Sequence, residues 1–138
     1  MKNMLFALLL LLTACGGDQS EAFVAQDVDV PEDFLQFYQI FHTDTAYQAA
    51  HISFPLAGLP NGQPFAQNHR WTRADWQYHR PFDLEATNMV RHFRRLDETT
   101  IEEVILQPQE RSGILRRFSK LGDQWFLIYY AGMNRIAE

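Results

Sequence analysis

His42 and Asp44, two residues apart, are the first pair in the 138-residue chain whose types suit acid–base work. A carboxylate beside an imidazole can orient the ring as a general base. The simpler reading of the same residues is a histidine closing one helix and an aspartate capping the next. A catalytic role needs geometry, so closeness in sequence makes the pair a candidate and no more. The remaining histidines, His51, His69, His79 and His92, show no His-Glu-x-x-His spacing, and neither a metal nor a cofactor is expected. Ser53, Ser112 and Ser119 lack the Gly-x-Ser-x-Gly context of a nucleophile elbow, so no serine-hydrolase chemistry follows.

Binding chemistry is better represented. Trp71, Trp76 and Tyr78 lie among His69, Arg70, Arg73, His79 and Arg80, mixing flat apolar surface with cations and donors. Such a cluster could take a sugar or an anion, with Arg stacked on a ring or gripping a carboxylate. The competing reading puts Trp71 and Trp76 in the core and the arginines in water, as large aromatics usually serve packing. Arg91, His92, Arg94 and Arg95, then Arg116 and Arg117, form a second basic set. On a curved sheet some of these could enter a pocket. The acidic Glu98, Glu102 and Glu103 also stand where they could pair with them across strands. The candidate ligand-binding residues are therefore Trp71, Arg73, Trp76, Tyr78, His79 and Arg94, with His42 and Asp44 as the acid–base alternative.

Cys15, the single cysteine, ends the run Leu12-Thr13-Ala14-Cys15 behind nine apolar residues, 4–12. As a helix those nine rise only about 14 Å, too short to span a bilayer core. Lys2, the apolar run and the small residues before the cysteine are, in order, the three parts of a secretory signal. The arrangement resembles a bacterial lipoprotein signal, which implies a diacylglycerol on the Cys15 thiol and cleavage just before it. Residues 1–14 are then the signal peptide, and residues 15–30 a lipidated cysteine and flexible tether. Fifteen such residues reach roughly 21 Å in root-mean-square terms. Gly16 and Gly17 stand where an acidic residue would resemble an inner-membrane retention signal, so the expected site is the outer membrane of the cell envelope.

With Cys15 lipidated, no disulfide can brace the mature chain, and packing must hold it. Residues 31–138 suffice for one domain. The formal net charge is −5, and loss of Lys2 with the signal makes it one unit more negative. Nucleic acid, which needs a basic footprint, is excluded as a partner.

Pro31, Glu32 and Asp33 mark a helix start. Phe34, Phe37, Tyr38 and Phe41 then fall on one helical face, as a core stripe. Asp44 could cap a short helix through residue 50. Residues 51–56 alternate and close on Pro55, which suggests an edge strand or the end of a strand, and residues 58–64 read as loop. Thr72-Arg73-Ala74-Asp75 has the form of a capping box, which would start a short helix at Trp76. Residues 88–96 fit a strand slightly better than a helix. Strands follow over residues 100–107, 114–120 and 125–133, the last two joined by a hairpin at Gly122-Asp123. In the final strand Trp125, Leu127, Tyr129 and Ala131 alternate with Phe126, Ile128 and Tyr130, so both faces should be covered and the strand central.

Helices first and strands last is an α+β order. Phe34-x-x-Phe37, Asp44-x-x-Tyr47-Gln48-x-x-His51-Ile52-x-Phe54-Pro55-Leu56 and the closing Gly122-Asp123-Gln124-Trp125-Phe126-Leu127-Ile128 resemble a family of uncharacterised bacterial lipoproteins, similar to domain-of-unknown-function family 4348. That family is similar in turn to the nuclear transport factor 2-like, cystatin-like fold. The resemblance implies N-terminal helices packed on a curved antiparallel sheet that forms a cone with a pocket, and it brings no catalytic residues. The expected protein is a lipid-anchored, non-catalytic module that binds a small molecule or an envelope protein. The alternative is a small lyase, isomerase or hydrolase in the same pocket, which fold alone cannot establish. An enzyme would bury a titratable pair, such as His42 with Asp44 or an Arg with a His, in a cavity. A binding module would offer an apolar and aromatic hollow with few convergent acids or bases.

Overall fold

The computed structural model describes residues 29–136. Cys15, the signal segment and most of the tether lie outside the described residues. Helix α1 spans Glu32–Thr43 and α2 spans Thr45–Ala50, with Pro31 before the first and Asp44 between them. The Asp44 carboxylate accepts the Tyr47 N–H at 2.9 Å, the cap its position predicts. Strands follow at Ile52–Leu59 (β1), Arg70–Trp71 (β2), Val90–Arg95 (β3), Thr100–Gln107 (β4), Ser112–Leu121 (β5) and Gln124–Arg135 (β6), with helix α3 at Leu84–Thr87 before β3. They form one curved, unclosed sheet in the order β2-β1-β6-β5-β4-β3. The chain is thus α+β.

The α1 stripe covers the inner face of the sheet. Phe34, Phe37 and Phe41 are buried with Ile52, Leu56, Ile101, Phe118, Trp125 and Leu127. Phe118 is the hub: its ring lies 5.5 to 6.0 Å from those of Phe34, Phe37, Tyr38 and Phe41, all steeply inclined to it. Such tilted pairs add to plain area burial. Val30 also packs against this cluster, one residue before the expected start of order. At the start of α1, the Asp33 carboxylate accepts from Lys120 at 2.7 Å and from Trp125 Nε1 at 3.1 Å. That clasp fixes the N-terminal end of α1 over the β5–β6 hairpin, whose turn uses Gly122 at φ 68°.

Several expectations are corrected. The sheet is mixed rather than antiparallel, because β1 runs parallel to β6. Period-two patterns mark strands but carry no direction. β1 is interior, flanked by β2 and β6. Pro55 is tolerated there because the β1–β6 register shifts between Ile52 and Ala57, and β2 reaches only Leu56 and Ala57. β1 also runs into the stretch read as loop. A Cβ on Gly58 would stand 1.8 Å from the Tyr130 carbonyl oxygen, so the bare glycine allows the close approach of β1 to β6. Thr72-Arg73-Ala74-Asp75 forms a closed turn and no helix follows it. The short helix comes later, at α3, capped by Asp83 through the Ala86 N–H at 2.9 Å.

β6 is central, as expected, but its alternation breaks. Arg117 opposes Tyr129 while Phe118 opposes Leu127, so Ile128 is an extra residue in a bulge. The bulge moves Tyr130 onto the inner face with Leu127 and sends Tyr129 outward. Phe126, Ile128 and Tyr129 on the outer face are half-buried rather than buried.

Truncating the hub should measure its weight. Phe118→Ala is expected to lower unfolding free energy by about 3–5 kcal/mol, while Leu35→Ala on the 48 % exposed face of α1 should change it little. Urea titration of both variants decides it, and equal effects would remove the central role given to Phe118.

Candidate functional site

Adjacent rungs of the sheet carry opposite charges in register. Glu102 faces Arg94 on β3 and Arg117 on β5, while Glu103 faces Phe93 and Arg116. Neighbouring residues in a strand point to opposite faces, so one rung lies outside and the next beneath α1. On the outer rung the buried Glu102 carboxylate accepts from Arg94 and, at 2.8 Å, from Arg117, which also lies over the Tyr129 ring at 4.8 Å. These are the cross-strand pairs the sequence allowed.

The inner rung is the unusual one. Glu103 and Arg116 are 0 % and 4 % exposed, and Arg116 Nε donates to Glu103 Oε2 at 2.7 Å. The second carboxylate oxygen accepts the Tyr38 hydroxyl, and Arg116 Nη2 donates to the same phenol oxygen at 3.1 Å. Arg116 Nη1 lies 2.9 Å from His42 Nε2 and 3.3 Å from His79 Nδ1. Arginine only donates, so both histidine nitrogens accept. His42 Nδ1 therefore carries the ring proton, which it gives to the Tyr38 carbonyl at 2.7 Å.

The titration of the group follows from this packing. Burial, reinforced by the Arg116 charge, lowers His42 from 6.5 to about 4. Burial, then Arg116, then His42 lower His79 from 6.5 to about 3. Both rings are neutral at pH 7. Burial and then the Glu103 carboxylate push the Tyr38 phenol up, and burial does the same to Tyr130. Burial opposes the charge on Arg116, but Glu103 outweighs it and holds the guanidinium protonated.

Gln48 holds the loop that delivers His79. Its amide nitrogen donates to the Phe41 and His79 carbonyls at 2.7 and 2.9 Å, and its oxygen accepts from the His79 N–H at 2.9 Å and Trp76 Nε1 at 3.1 Å. All four bonds of this buried side chain are made, so it acts on His79 as a neighbouring strand would. Tyr78 Oη donates to the His42 carbonyl at 2.6 Å, tying the same segment to the end of α1.

A cavity of about 450 Å³ lies against this network. The sheet provides Ile105, Ile114, Arg116 and Tyr130, and the facing wall is residues 78–83 with Thr87 of α3. A more open hollow of about 500 Å³ at the end of α1 is lined by His42, Asp44, Tyr78 and Arg80. Tyr78, Arg80 and Pro81 line both hollows.

Of the residues singled out from sequence, Trp76, Tyr78 and His79 come together here, and Trp71 joins them through Tyr130. The Tyr130 ring is 5.3 Å from Trp71, 5.4 Å from Trp76 and 4.7 Å from His79, and Trp71 Nε1 donates to the Tyr130 carbonyl at 2.9 Å. Arg73 points elsewhere, over Phe54 and to the Ala49 carbonyl. Arg94 is on the outer rung, away from the cavity. His42 and Asp44 do not work as a pair, because the carboxylate caps α2 and the imidazole turns to Arg116. The reading from sequence missed Glu103, Arg116, Gln48 and Tyr130 as parts of one site. A signal for the first two exists: Glu-Glu on one strand opposite Arg-Arg on the next must send one ion pair inside. Among the described residues no group of three or more His, Cys, Asp or Glu could hold a metal ion.

No protein-family model matches the chain, and no curated protein does. Among solved structures, the NMR structure of a protein from Bacteroides uniformis ATCC 8492 is similar, with a TM-score of 0.50 and 20% identity over 75% of this chain and 78% of that one. At that identity the likeness concerns the fold alone. The crystal structure of an NTF2-like protein from Bacteroides fragilis NCTC 9343 has a TM-score of 0.42 and 18% identity over 77% of this chain and 49% of that one.

Two measurements test the network. Gln48→Leu strands two carbonyls, the His79 N–H and the Trp76 indole, and should cost at least about 2 kcal/mol and broaden the indole resonance of Trp76. An unchanged stability would show that the loop holds itself. The second is pH. Unfolded histidine binds a proton near 6.5, whereas His42 and His79 resist it down to about 4 and 3. Tyr38 of α1, Arg91 of β3, Glu103, Arg116 and Tyr130 face these rings. The folded pKa values are depressed, so stability is complete above pH 6.5 and falls as pH drops below it, by about 2 kcal/mol per histidine at pH 5. Equal urea midpoints at pH 7 and pH 5 would contradict the assignment.

Proposed function

We propose that the chain is a lipid-anchored cell-envelope protein whose single α+β domain is a nuclear transport factor 2-like cone, and that its cavity binds a small molecule without transforming it. The cone reading is supported by the order of elements, with α1 and α2 ahead of a curved six-stranded sheet, and by the motif resemblance at Tyr47-Gln48 and Phe54-Pro55-Leu56. The anchor rests on the signal that ends at Cys15. No helix of the described residues is long and apolar enough to cross a membrane.

One observation favours binding over chemistry: the base atoms buried beside the cavity are already in use. Glu103 has both oxygens occupied, and the lone pairs of His42 Nε2 and His79 Nδ1 both accept from Arg116. A general base needs a free lone pair within reach of its proton. The enzyme alternative has one point in its favour, an arginine beside two histidines with strongly lowered pKa at a cavity wall. Much of what remains around the hollow, from Pro81, Phe82, Ile105 and Ile114, is apolar, as in a binding site, with the charges of Arg80 and Asp83 exposed to water.

The anchor is checked by growth with radiolabelled palmitate, where the wild type should label and Cys15→Ser should not; equal labelling would remove it. Binding is checked by a thermal-shift screen of the full-length chain against sugars, peptides and lipids. A stabilising ligand recovered unchanged supports the proposal, conversion of that ligand to a product supports the enzyme, and no response at all points to an envelope protein as the partner.

A further inference from the structure

The hydrogens and charges that the cavity wall leaves unspent decide what it can hold. Arg116, the buried cation, is cancelled by Glu103 at 2.7 Å. Glu103 has no oxygen left, since Tyr38 donates to the other one. His79 accepts from Arg116 through Nδ1, so the neutral ring keeps its hydrogen on Nε2. No described residue takes that hydrogen, and none bonds the Tyr130 hydroxyl. The two rings lie 4.7 Å apart and both line the cavity. Ile105, Ile114, Phe82 and Pro81 make much of the remaining surface apolar, and Arg80 and Asp83, both exposed, are opposite in charge.

Resting on the binding-site reading above, we propose that the cavity takes an uncharged molecule with an apolar body and a hydrogen-bond-accepting head, seated against Tyr130 Oη and His79 Nε2. An anion would have to shed its water beside Glu103 and would find Arg116 already paired, with only the exposed, water-screened Arg80 to answer it. A buried charge without a free counter-charge is disfavoured. A cation would meet two donors and the Arg116 guanidinium, with both Glu103 oxygens occupied and only the exposed, water-screened Asp83 to answer it. An uncharged acceptor meets neither obstacle and satisfies a donor that otherwise depends on water. The apolar sides supply the rest of the contact.

Three probes with one naphthalene body separate the possibilities: 2-acetylnaphthalene carries an uncharged acceptor, 2-naphthoate a charge, and 2-ethylnaphthalene neither. Binding is measured by NMR on the full-length chain in lipid nanodiscs, with empty nanodiscs as the blank. The ketone should bind at least about 10-fold tighter than the carboxylate. Tyr130→Phe removes a hydroxyl with no protein partner, so it should leave the fold intact. It should weaken the ketone roughly 2- to 10-fold and leave the ethyl compound unchanged. Ile114→Trp, which fills the cavity, should abolish binding of the ketone and the ethyl compound. Carboxylate binding as tight as the ketone, or a Tyr130→Phe variant that binds the ketone as well as wild type, overturns the ligand class while leaving the site in place. If no probe binds, or binding survives Ile114→Trp in a folded variant, the binding-site reading itself fails.

Discussion

The buried pair of Arg116 and Glu103 is the constraint around which the rest of the domain is arranged. Two charges taken out of water are tolerable only with good geometry and with their other hydrogens and lone pairs satisfied. The groups that satisfy them come from three places: Tyr38 and His42 on α1, His79 on the loop before α3, and the two strands that carry the ions. A shift of α1 by one turn would withdraw Tyr38 and His42 and leave a Glu103 oxygen and Arg116 hydrogens without those partners. The aromatic stripe gives α1 its attraction to the sheet, but grease tolerates sliding. The polar cluster sets where the helix stops.

The same constraint explains why a histidine on a helix end and another in an irregular loop are both held neutral. Each offers a lone pair to a guanidinium that must spend its hydrogens, and a protonated ring could not do so. His79 is held in that position by Gln48, on the short second helix, which binds the backbone of its residue on both sides. The loop has no strand pairing of its own at that point. One amide side chain stands in for it.

Much of the architecture was legible in the sequence, and the losses have specific causes. The spacing of Phe34, Phe37 and Phe41 marked the buried face of α1, Asp44 marked a cap, and Gly122-Asp123 marked a hairpin. These are local signals. The direction of β1, the bulge at Ile128 and the burial of Glu103 depend on partners far along the chain. The bulge mattered most, since it turned Tyr130 from the outer face to the inner one and so into the cavity. The site was half legible. Trp76, Tyr78 and His79 are neighbours in sequence and stay neighbours in space. Ile105, Ile114, Arg116 and Tyr130 are joined only by strand register, and Arg94, close to them in type, goes to the other side of the sheet because its parity differs.

The clasp of Asp33 on Lys120 and Trp125 sets a polarity for the whole molecule. It places the entry of the chain, at residues 29–31, beside the β5–β6 hairpin, while His42 and the cavity lie at the far end of α1. A 12-residue helix spans roughly 18 Å between the two. For a chain held by a lipid at Cys15, the tether arrives at one pole and the cavity sits at the other.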